Sequence, residues 1–200
     1  MNLRLFRIVA WTLAGLLTVA VVYVGLNREA GQKLVAATGG GIGGPFALTR
    51  SDGSQFTDRE LAGSPYLVFF GFTHCPEVCP TTLWEASGWL KELGKDADRL
   101  KMVFVTVDPE RDTSEVLAEY MTSFDPRIVA LTGTPEAVEA IKKAYKVYSR
   151  KVPTEDGDYT VDHTASIYLM HGDGSFSGTI AYQESTDTVL EKLRRLIAKG

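Results

Sequence analysis

Two cysteines, Cys75 and Cys79, are the residues best suited to chemistry in this 200-residue chain, which has no other cysteine. They stand in the segment Phe72-Thr-His-Cys-Pro-Glu-Val-Cys-Pro80, where a proline follows each cysteine. We predict a tight turn through 75–79, with Cys79 near a helix N-cap and Pro80 as the first helical residue, because proline is well tolerated there. Both sulfurs then lie near the positive end of the helix dipole. That position favours the thiolate, the form that binds metals and attacks disulfides.

The spacing of the two cysteines allows two kinds of site. In a helical or turn-like path, residues four positions apart have Cα atoms about 6 Å apart. A disulfide can span that separation. The same separation lets two thiolates bind one soft metal ion, so the pair predicts a redox couple, a metal site, or both.

A stable metal site needs a further ligand, and the chain offers three histidines. His74 adjoins Cys75 and is expected to point away from it, whereas His171 begins a His-Gly-Asp-Gly turn and is expected to be solvated. His163 follows an irregular stretch, 151–160, that can fold over the cysteine turn, and is therefore the preferred ligand. Thiolates with imidazole select copper or zinc. Copper(I) is satisfied by two thiolates, whereas copper(II) also requires nitrogen, which His163 supplies.

The elements that must position these residues alternate along the chain. Buried strands, continuous in apolar residues, are predicted at 65–72, 100–107 and 128–131, and hairpins at 46–57 and 164–182. Helices are predicted at 80–93, 114–124, from 134 onward, and at 186–198. This order predicts an α/β protein of thioredoxin-like layout, with a mixed central sheet flanked by helices and an added N-terminal hairpin.

Ligand sites in such sheets lie beyond the carboxyl ends of the strands. That rule points to residues 71–80 and to the segment Asp108-Pro-Glu-Arg-Asp112 after the next buried strand. Asp108 and Arg111 are either turn and capping charges or groups that shape a docking face or support the metal ligands. Asp162 could likewise orient the segment that carries His163.

Composition excludes several classes of protein. Two cysteines cannot form a disulfide scaffold or a zinc site of three or four cysteines. The net charge is −4, and residues 34–200 alone carry −7, which argues against nucleic acid as a partner. An acidic domain suits cationic partners such as metal ions or basic protein faces.

Residues 8–26 form a run of nineteen uncharged residues, IVAWTLAGLLTVAVVYVGL. As a helix the run would measure about 28 Å, enough to cross a bilayer. We therefore predict an anchor at 1–27, a glycine-rich flexible linker at 28–44 and a copper-binding domain at 45–200. Arg4 and Arg7 precede the run, so the domain is expected on the periplasmic side of the inner membrane, or on the equivalent intermembrane face of an organelle. A cleaved signal peptide is the alternative, although the run is long for one.

Three segments together resemble one known family. They are the cysteine turn, Val105-Thr-Val-Asp-Pro-Glu-Arg-Asp-Thr113 and Val161-Asp-His-Thr164. With Leu131-Thr-Gly-Thr134, they make the chain similar, over about 45–197, to the Sco/SenC copper proteins, which assist cytochrome c oxidase assembly. One departure is Glu77, where that family often has aspartate.

The resemblance implies a thioredoxin-like fold and one copper ion per chain, bound by Cys75, Cys79 and His163. It also implies a client, the dinuclear copper site of oxidase subunit II, and a second role in reducing the client's cysteines. A metal-independent thiol-disulfide oxidoreductase that uses a Cys75–Cys79 disulfide is the alternative, so the residues leave open whether the protein is an enzyme. Thioredoxins place two residues between their cysteines and a proline opposite them, whereas this chain has three residues between and His163 before the late strand.

Overall fold

The computed structural model describes residues 41–155 and 157–199, together with Arg7 and Trp11. The described part contains nine strands and four α-helices. The strands are β1 (Ala47–Arg50), β2 (Gln55–Thr57), β3 (Tyr66–Gly71), β4 (Lys101–Thr106), β5 (Ile128–Thr132), β6 (Ser149–Pro153), β7 (Tyr159–His163), β8 (Ile167–Met170) and β9 (Phe176–Ile180). The helices are α1 (Val78–Leu93), α2 (Ser114–Met121), α3 (Pro135–Ala144) and α4 (Thr186–Lys199).

The N-terminal predictions fall almost wholly outside this part of the chain. Apart from Arg7, Trp11 and 41–44, the predicted anchor at 1–27 and linker at 28–44 lie outside the described residues. No helix within the described residues is long and apolar enough to cross a membrane. The anchor and the linker therefore stay predictions.

Seven strands form one mixed sheet in the order β2-β1-β5-β4-β3-β8-β9. The three central strands β3, β4 and β5 run parallel, whereas β1 pairs antiparallel with β5 and β8 pairs antiparallel with β3. All six residues of β3 are buried, as its continuous apolar sequence predicts for a strand covered on both faces. The mixed α/β architecture and both predicted hairpins are confirmed.

Two helices begin where their capping residues dictate. The Thr134 side chain accepts a hydrogen bond from the Ala137 amide, and Pro135 is the first residue of α3, as predicted. The sequence predicts Ser114 as the N-cap of helix α2, because serine is favoured there, but the helix is capped one residue earlier. Its N-cap is Thr113, and Ser114 is already helical.

The largest departure from the sequence prediction lies at 151–160, where an irregular loop was expected. Strands β6 and β7 instead pair as an antiparallel hairpin, in register from Ser149 opposite His163 to Pro153 opposite Tyr159. They form a separate two-stranded sheet beside the main one. Most of their residues are half-buried or exposed, so they lack the apolar run that marks the central strands.

Candidate metal centre

The cysteine turn starts at the carboxyl end of β3, where the chain leaves the sheet for α1. The Cys75 amide donates a hydrogen bond to the Phe72 carbonyl at 3.3 Å, which closes the turn. Helix α1 begins at Val78, with Glu77 as its N-cap, so the predicted start at Pro80 is wrong by two residues. Proline is still accommodated, because the first amides of a helix have no intrahelical acceptor. Cys79 therefore lies inside the first turn rather than at the cap.

The structure brings Cys75, Cys79 and His163 together, although residues 79 and 163 are 84 positions apart. One potential ligand atom from each residue lies within 4.8 Å of the other two. Cys79 Sγ is 3.5 Å from His163 Nε2, and the Cys79 amide donates to Cys75 Sγ at 3.4 Å. Both cysteines are free thiols; Cys75 is half-buried and Cys79 has no exposed surface. Access to the group from solvent is therefore at Cys75 and at His163, which is also half-buried, and not at Cys79.

The two sulfurs differ strongly in acidity. The hydrogen bond that the Cys79 thiol donates lowers the pKa of Cys75, and further hydrogen bonds from His163 and the Cys79 amide lower it more. The same hydrogen bond raises the pKa of Cys79, and burial of that sulfur raises it further. The pair therefore holds one thiolate, on the more accessible sulfur, and one proton, on the buried sulfur.

His163 is the last residue of β7 and presents Nε2 to the thiols. Its Nδ1 lies 3.0 Å from the Thr164 carbonyl oxygen. A carbonyl can only accept, so Nδ1 carries a proton, and Nε2 is the ring nitrogen that faces the thiols. The Phe69 and Phe72 rings pack against the imidazole in edge contacts. Their centroids lie 6.5 Å and 5.7 Å from the imidazole centroid.

Gly71, the last residue of β3, has no side chain and therefore leaves room for the Cys79 sulfur. A Cβ atom on Gly71 would lie 2.8 Å from Cys79 Sγ and 2.7 Å from Phe104 Cε2. Both neighbouring side chains are completely buried. A glycine is therefore required here by close approach, a role that the sequence analysis did not assign.

A buried carboxylate, Asp112, ties the cysteine turn to the neighbouring strands. It accepts hydrogen bonds from the Thr73 amide (3.1 Å), the Thr73 hydroxyl (2.6 Å) and the Thr106 hydroxyl (2.6 Å). Its own carbonyl accepts from the Thr132 hydroxyl. Burial raises its pKa, although these donors act against that rise. Asp112 belongs to the Asp108–Asp112 segment that the sequence analysis noted, but its role was not predicted.

The three residues predicted to support the site lie at two places. Asp108 is fully buried and accepts from Arg111 Nε at 2.5 Å and from the Tyr159 hydroxyl at 2.8 Å. Asp162 is exposed on the outer face of the hairpin, where it pairs with Arg150 at 3.2 Å. That pair links β6 to β7, the strand that ends at His163.

The remaining histidines lie outside the group. His74 is largely exposed, and its Nδ1 is 3.1 Å from the Thr73 hydroxyl. His171 begins the turn between β8 and β9, as predicted. Among the residues that the structure describes, Cys75, Cys79 and His163 are the one cluster of three or more side chains able to hold a metal. Two sulfurs and one imidazole nitrogen suit copper or zinc rather than a hard cation.

A mixed α/β fold with a Cys-Cys-His centre at the end of a central strand defines a thioredoxin-like protein adapted to hold a soft metal. The SCO1/SenC family model matches residues 36–198. The chain therefore belongs to the SCO1/SenC family. The chain is 44% identical over 138 residues to the human mitochondrial SCO1 homolog. The aligned region covers 68% of this chain and 46% of the human protein.

Two solved structures, both with copper bound, are similar to this chain. Bradyrhizobium japonicum ScoI is 48% identical with a TM-score of 0.73, over 78% of this chain and 99% of that chain. Yeast Sco1 is 35% identical with a TM-score of 0.74, over 80% of this chain and 91% of that chain. The chain spans about half the length of the curated relatives that it matches.

Proposed function

We propose that this protein holds one copper ion between Cys75, Cys79 and His163 and delivers it to the dinuclear copper site of cytochrome c oxidase subunit II. The observation that carries the proposal is the convergence of three soft ligand atoms from separate elements within 4.8 Å. The Sco family is a family of cytochrome c oxidase assembly proteins. Similar structures in that family contain copper.

The arrangement suits cargo rather than a permanent cofactor. Three protein ligands leave copper(I) able to accept a further ligand from a partner, so the ion can be exchanged without first being released to water. The half-buried Cys75 gives that partner access, whereas the buried Cys79 and the packed imidazole keep the ion on this chain until the partner ligand arrives. The copper is therefore the substrate of a transfer and not a resident cofactor.

The test is to titrate the full-length protein in detergent with copper(I) and copper(II). Cys75→Ser and Cys79→Ser should each abolish the intense thiolate-to-copper(II) absorption. His163→Ala should weaken copper(II) binding far more than copper(I) binding, because copper(I) can remain with two thiolates. His74→Ala is the matched control, since this exposed imidazole lies beside Cys75 but outside the cluster. Tight stoichiometric binding by the variant with both cysteines changed to serine would reject the site.

Delivery to subunit II is tested separately. The copper-loaded protein is mixed with the metal-free copper domain of subunit II, whose own absorption reports loading. Transfer should fail with the Cys75→Ser variant. It should also not occur when the copper is supplied by a small-molecule chelator whose copper affinity equals that of the protein. Equal transfer from that chelator would show that the protein supplies only a copper reservoir.

A second function, reduction of partner disulfides, is favoured by the unequal acidity of the two thiols. The Cys75 thiolate would attack a partner disulfide, releasing one partner thiolate and forming a mixed disulfide. Cys79 would then lose its proton and attack Cys75 Sγ, releasing the second partner thiolate and leaving a Cys75–Cys79 disulfide. Two electrons pass to the partner. A plain reductase predicts that His163→Ala leaves copper affinity unchanged and that activity follows only the reduction potential of the thiol pair.

Membrane tethering through residues 8–26 completes the proposal, with the domain on the periplasmic side or the equivalent intermembrane face. The full-length protein should fractionate with membranes and resist extraction by high salt and carbonate. A protease added to the outer face of the membrane should digest the domain. A mature N-terminus beyond residue 26 would show that the segment is cleaved.

A further inference from the structure

The hairpin β6–β7 delivers His163, yet it lies outside the seven-stranded sheet. Alternate residues of a strand share one face, so Tyr159, Val161 and His163 all lie on one face of β7. Val161 is buried, and His163 lies against Cys79. The third inward residue is Tyr159, which is half-buried.

Tyr159 is bound to two residues of the segment that follows β4. Its hydroxyl donates to Asp108 Oδ1 at 2.8 Å, and its carbonyl accepts from Arg111 at 2.9 Å. The guanidinium carbon of Arg111 lies 3.8 Å from the centre of the Tyr159 ring. Arg111 Nε in turn donates to Asp108 Oδ2 at 2.5 Å. We call these three residues the hairpin latch.

The latch is fixed on its inner side. Asp108 has no exposed surface, and its amide donates to the Thr106 hydroxyl at the end of β4. The Arg111 side chain is 17% exposed. A charge-assisted hydrogen bond in such a setting is stronger than a neutral bond in water.

Two further ion pairs of the hairpin are solvent-exposed. The Arg150–Asp162 pair joins the two strands of the hairpin to each other, with side chains 65% and 54% exposed. Lys151–Glu110 does reach the segment after β4, but its side chains are 46% and 60% exposed. Exposed pairs of this kind contribute little to stability. The latch therefore holds this face of β7 against the body of the protein, together with the burial of Val161 and the packing of His163 on Phe69 and Phe72.

We propose that Tyr159 is a positioning residue: through Asp108 and Arg111 it keeps the hairpin closed, so that His163 stays within reach of the two thiols. The inference rests on the proposed function in taking His163 as a copper ligand. Copper(II) requires the imidazole, so its apparent affinity is proportional to the fraction of molecules with the hairpin closed. Copper(I), which two thiolates satisfy, depends on that fraction much less.

Tyr159→Phe isolates the latch, because it removes only the hydroxyl and keeps the ring under Arg111. Tyr148→Phe is the matched control, since Tyr148 immediately precedes β6 and its side chain is exposed. In full-length protein, Tyr159→Phe should weaken copper(II) binding about tenfold, which corresponds to about 1.4 kcal/mol. Copper(I) affinity should change less than about threefold. Tyr148→Phe should match the wild type for both ions.

A metal-free measurement separates this inference from the proposed function. Amide hydrogen exchange at 159–163 should be faster in metal-free Tyr159→Phe than in the wild type or Tyr148→Phe, while exchange in β3 and β4 stays unchanged. If the wild type binds no copper at this centre, the proposed function fails and hydrogen exchange alone decides whether the latch exists. Unchanged exchange, or unchanged copper(II) affinity in a wild type that does bind copper, would overturn the positioning role. Equal loss of copper(I) and copper(II) affinity would overturn it too, because the thiols themselves would then be disturbed.

Discussion

Replacing Gly71 with alanine tests whether the packing around Cys79 is as close as the structure indicates. The added Cβ would lie 2.7 Å from Phe104 Cε2 and 2.8 Å from Cys79 Sγ. Ordinary contacts between such atoms are about 3.5–4.0 Å, so each neighbour must move by about 1 Å. Neither has exposed surface towards which it could move.

The expected cost follows from that displacement. Overpacking a well-packed core typically costs about 1–3 kcal/mol. A loss of about 2 kcal/mol lowers the Tm of a domain of this size by about 4–8 °C. One of the displaced atoms is a proposed copper ligand, and a shift of about 1 Å exceeds the tolerance of about 0.2 Å for metal–ligand distances. We therefore expect Gly71→Ala to weaken copper(I) binding in the protein that still folds.

Thermal unfolding followed by circular dichroism in reductant, and copper(I) competition with a chelator, measure the two effects. Gly88→Ala is the control. Gly88 lies in α1, and a Cβ there meets nothing within 4 Å. Alanine in a helix interior is favoured over glycine by about 0.5–1 kcal/mol, so this variant should unfold at a slightly higher temperature. A Gly71→Ala protein with the Tm and copper(I) affinity of the wild type would refute the reasoning.

Two further predictions concern residues beside the site. An asparagine at position 112 cannot accept all three hydrogen bonds from Thr73 and Thr106, so Asp112→Asn should lower the free energy of unfolding in urea by about 1.5–3 kcal/mol. The exposed control Asp96→Asn should change that free energy little. Equal stability of the two variants would show that the carboxylate does not anchor the turn. Because the pKa of Cys75 is lowered and that of Cys79 is raised, iodoacetamide should modify Cys75 alone, at a rate that hardly changes between pH 8 and pH 6. An ordinary thiol, with a pKa of about 8.5, would instead react about tenfold more slowly for each pH unit below that value, and such a decline, read by mass spectrometry, would contradict the thiolate assignment.

The sequence is sufficient to predict the elements whose apolar pattern is continuous. Strand β3 is apolar throughout and β4 is apolar from Met102 to Val105, and hydrophobic burial alone makes such runs central strands. The helix signals at Thr134-Pro135 are local as well. The start of α1 was misplaced by two residues, because proline is compatible with several positions of a first turn and sequence alone does not choose among them.

The hairpin that carries His163 was not predictable in the same way. The sequence Ser149–Pro153 includes two cations and a proline, which favours a loop over a strand. Its pairing depends instead on contacts distant in the chain, above all the bond from Tyr159 to Asp108, 51 residues away. Sequence reasoning reached His163 by elimination among three histidines and could not identify what holds it in place.

Asp112 and Gly71 were missed for a different physical reason. Their roles depend on what lies next to them: a threonine of the cysteine turn and another at the end of β4 in one case, a sulfur and an aromatic ring in the other. Composition and spacing carry no signal for a space left empty by a missing side chain. A signal did exist for Asp112, since it stands in the Asp108–Asp112 segment that follows a central strand.

The difference between the two sulfurs fixes the direction from which a partner can act. Cys79 is buried against Gly71 and Phe104 and offers no surface to an incoming ligand, whereas Cys75 and His163 are both half-buried. Cys75 is accessible and already ionised, which makes it the sulfur that a partner meets first in copper exchange and in thiol-disulfide exchange alike. Copper transfer and disulfide reduction would therefore begin at the same atom. Under the two proposed functions, the group presented by the partner, a metal-free ligand set or a disulfide, would decide whether the metal or the electron pair is passed on.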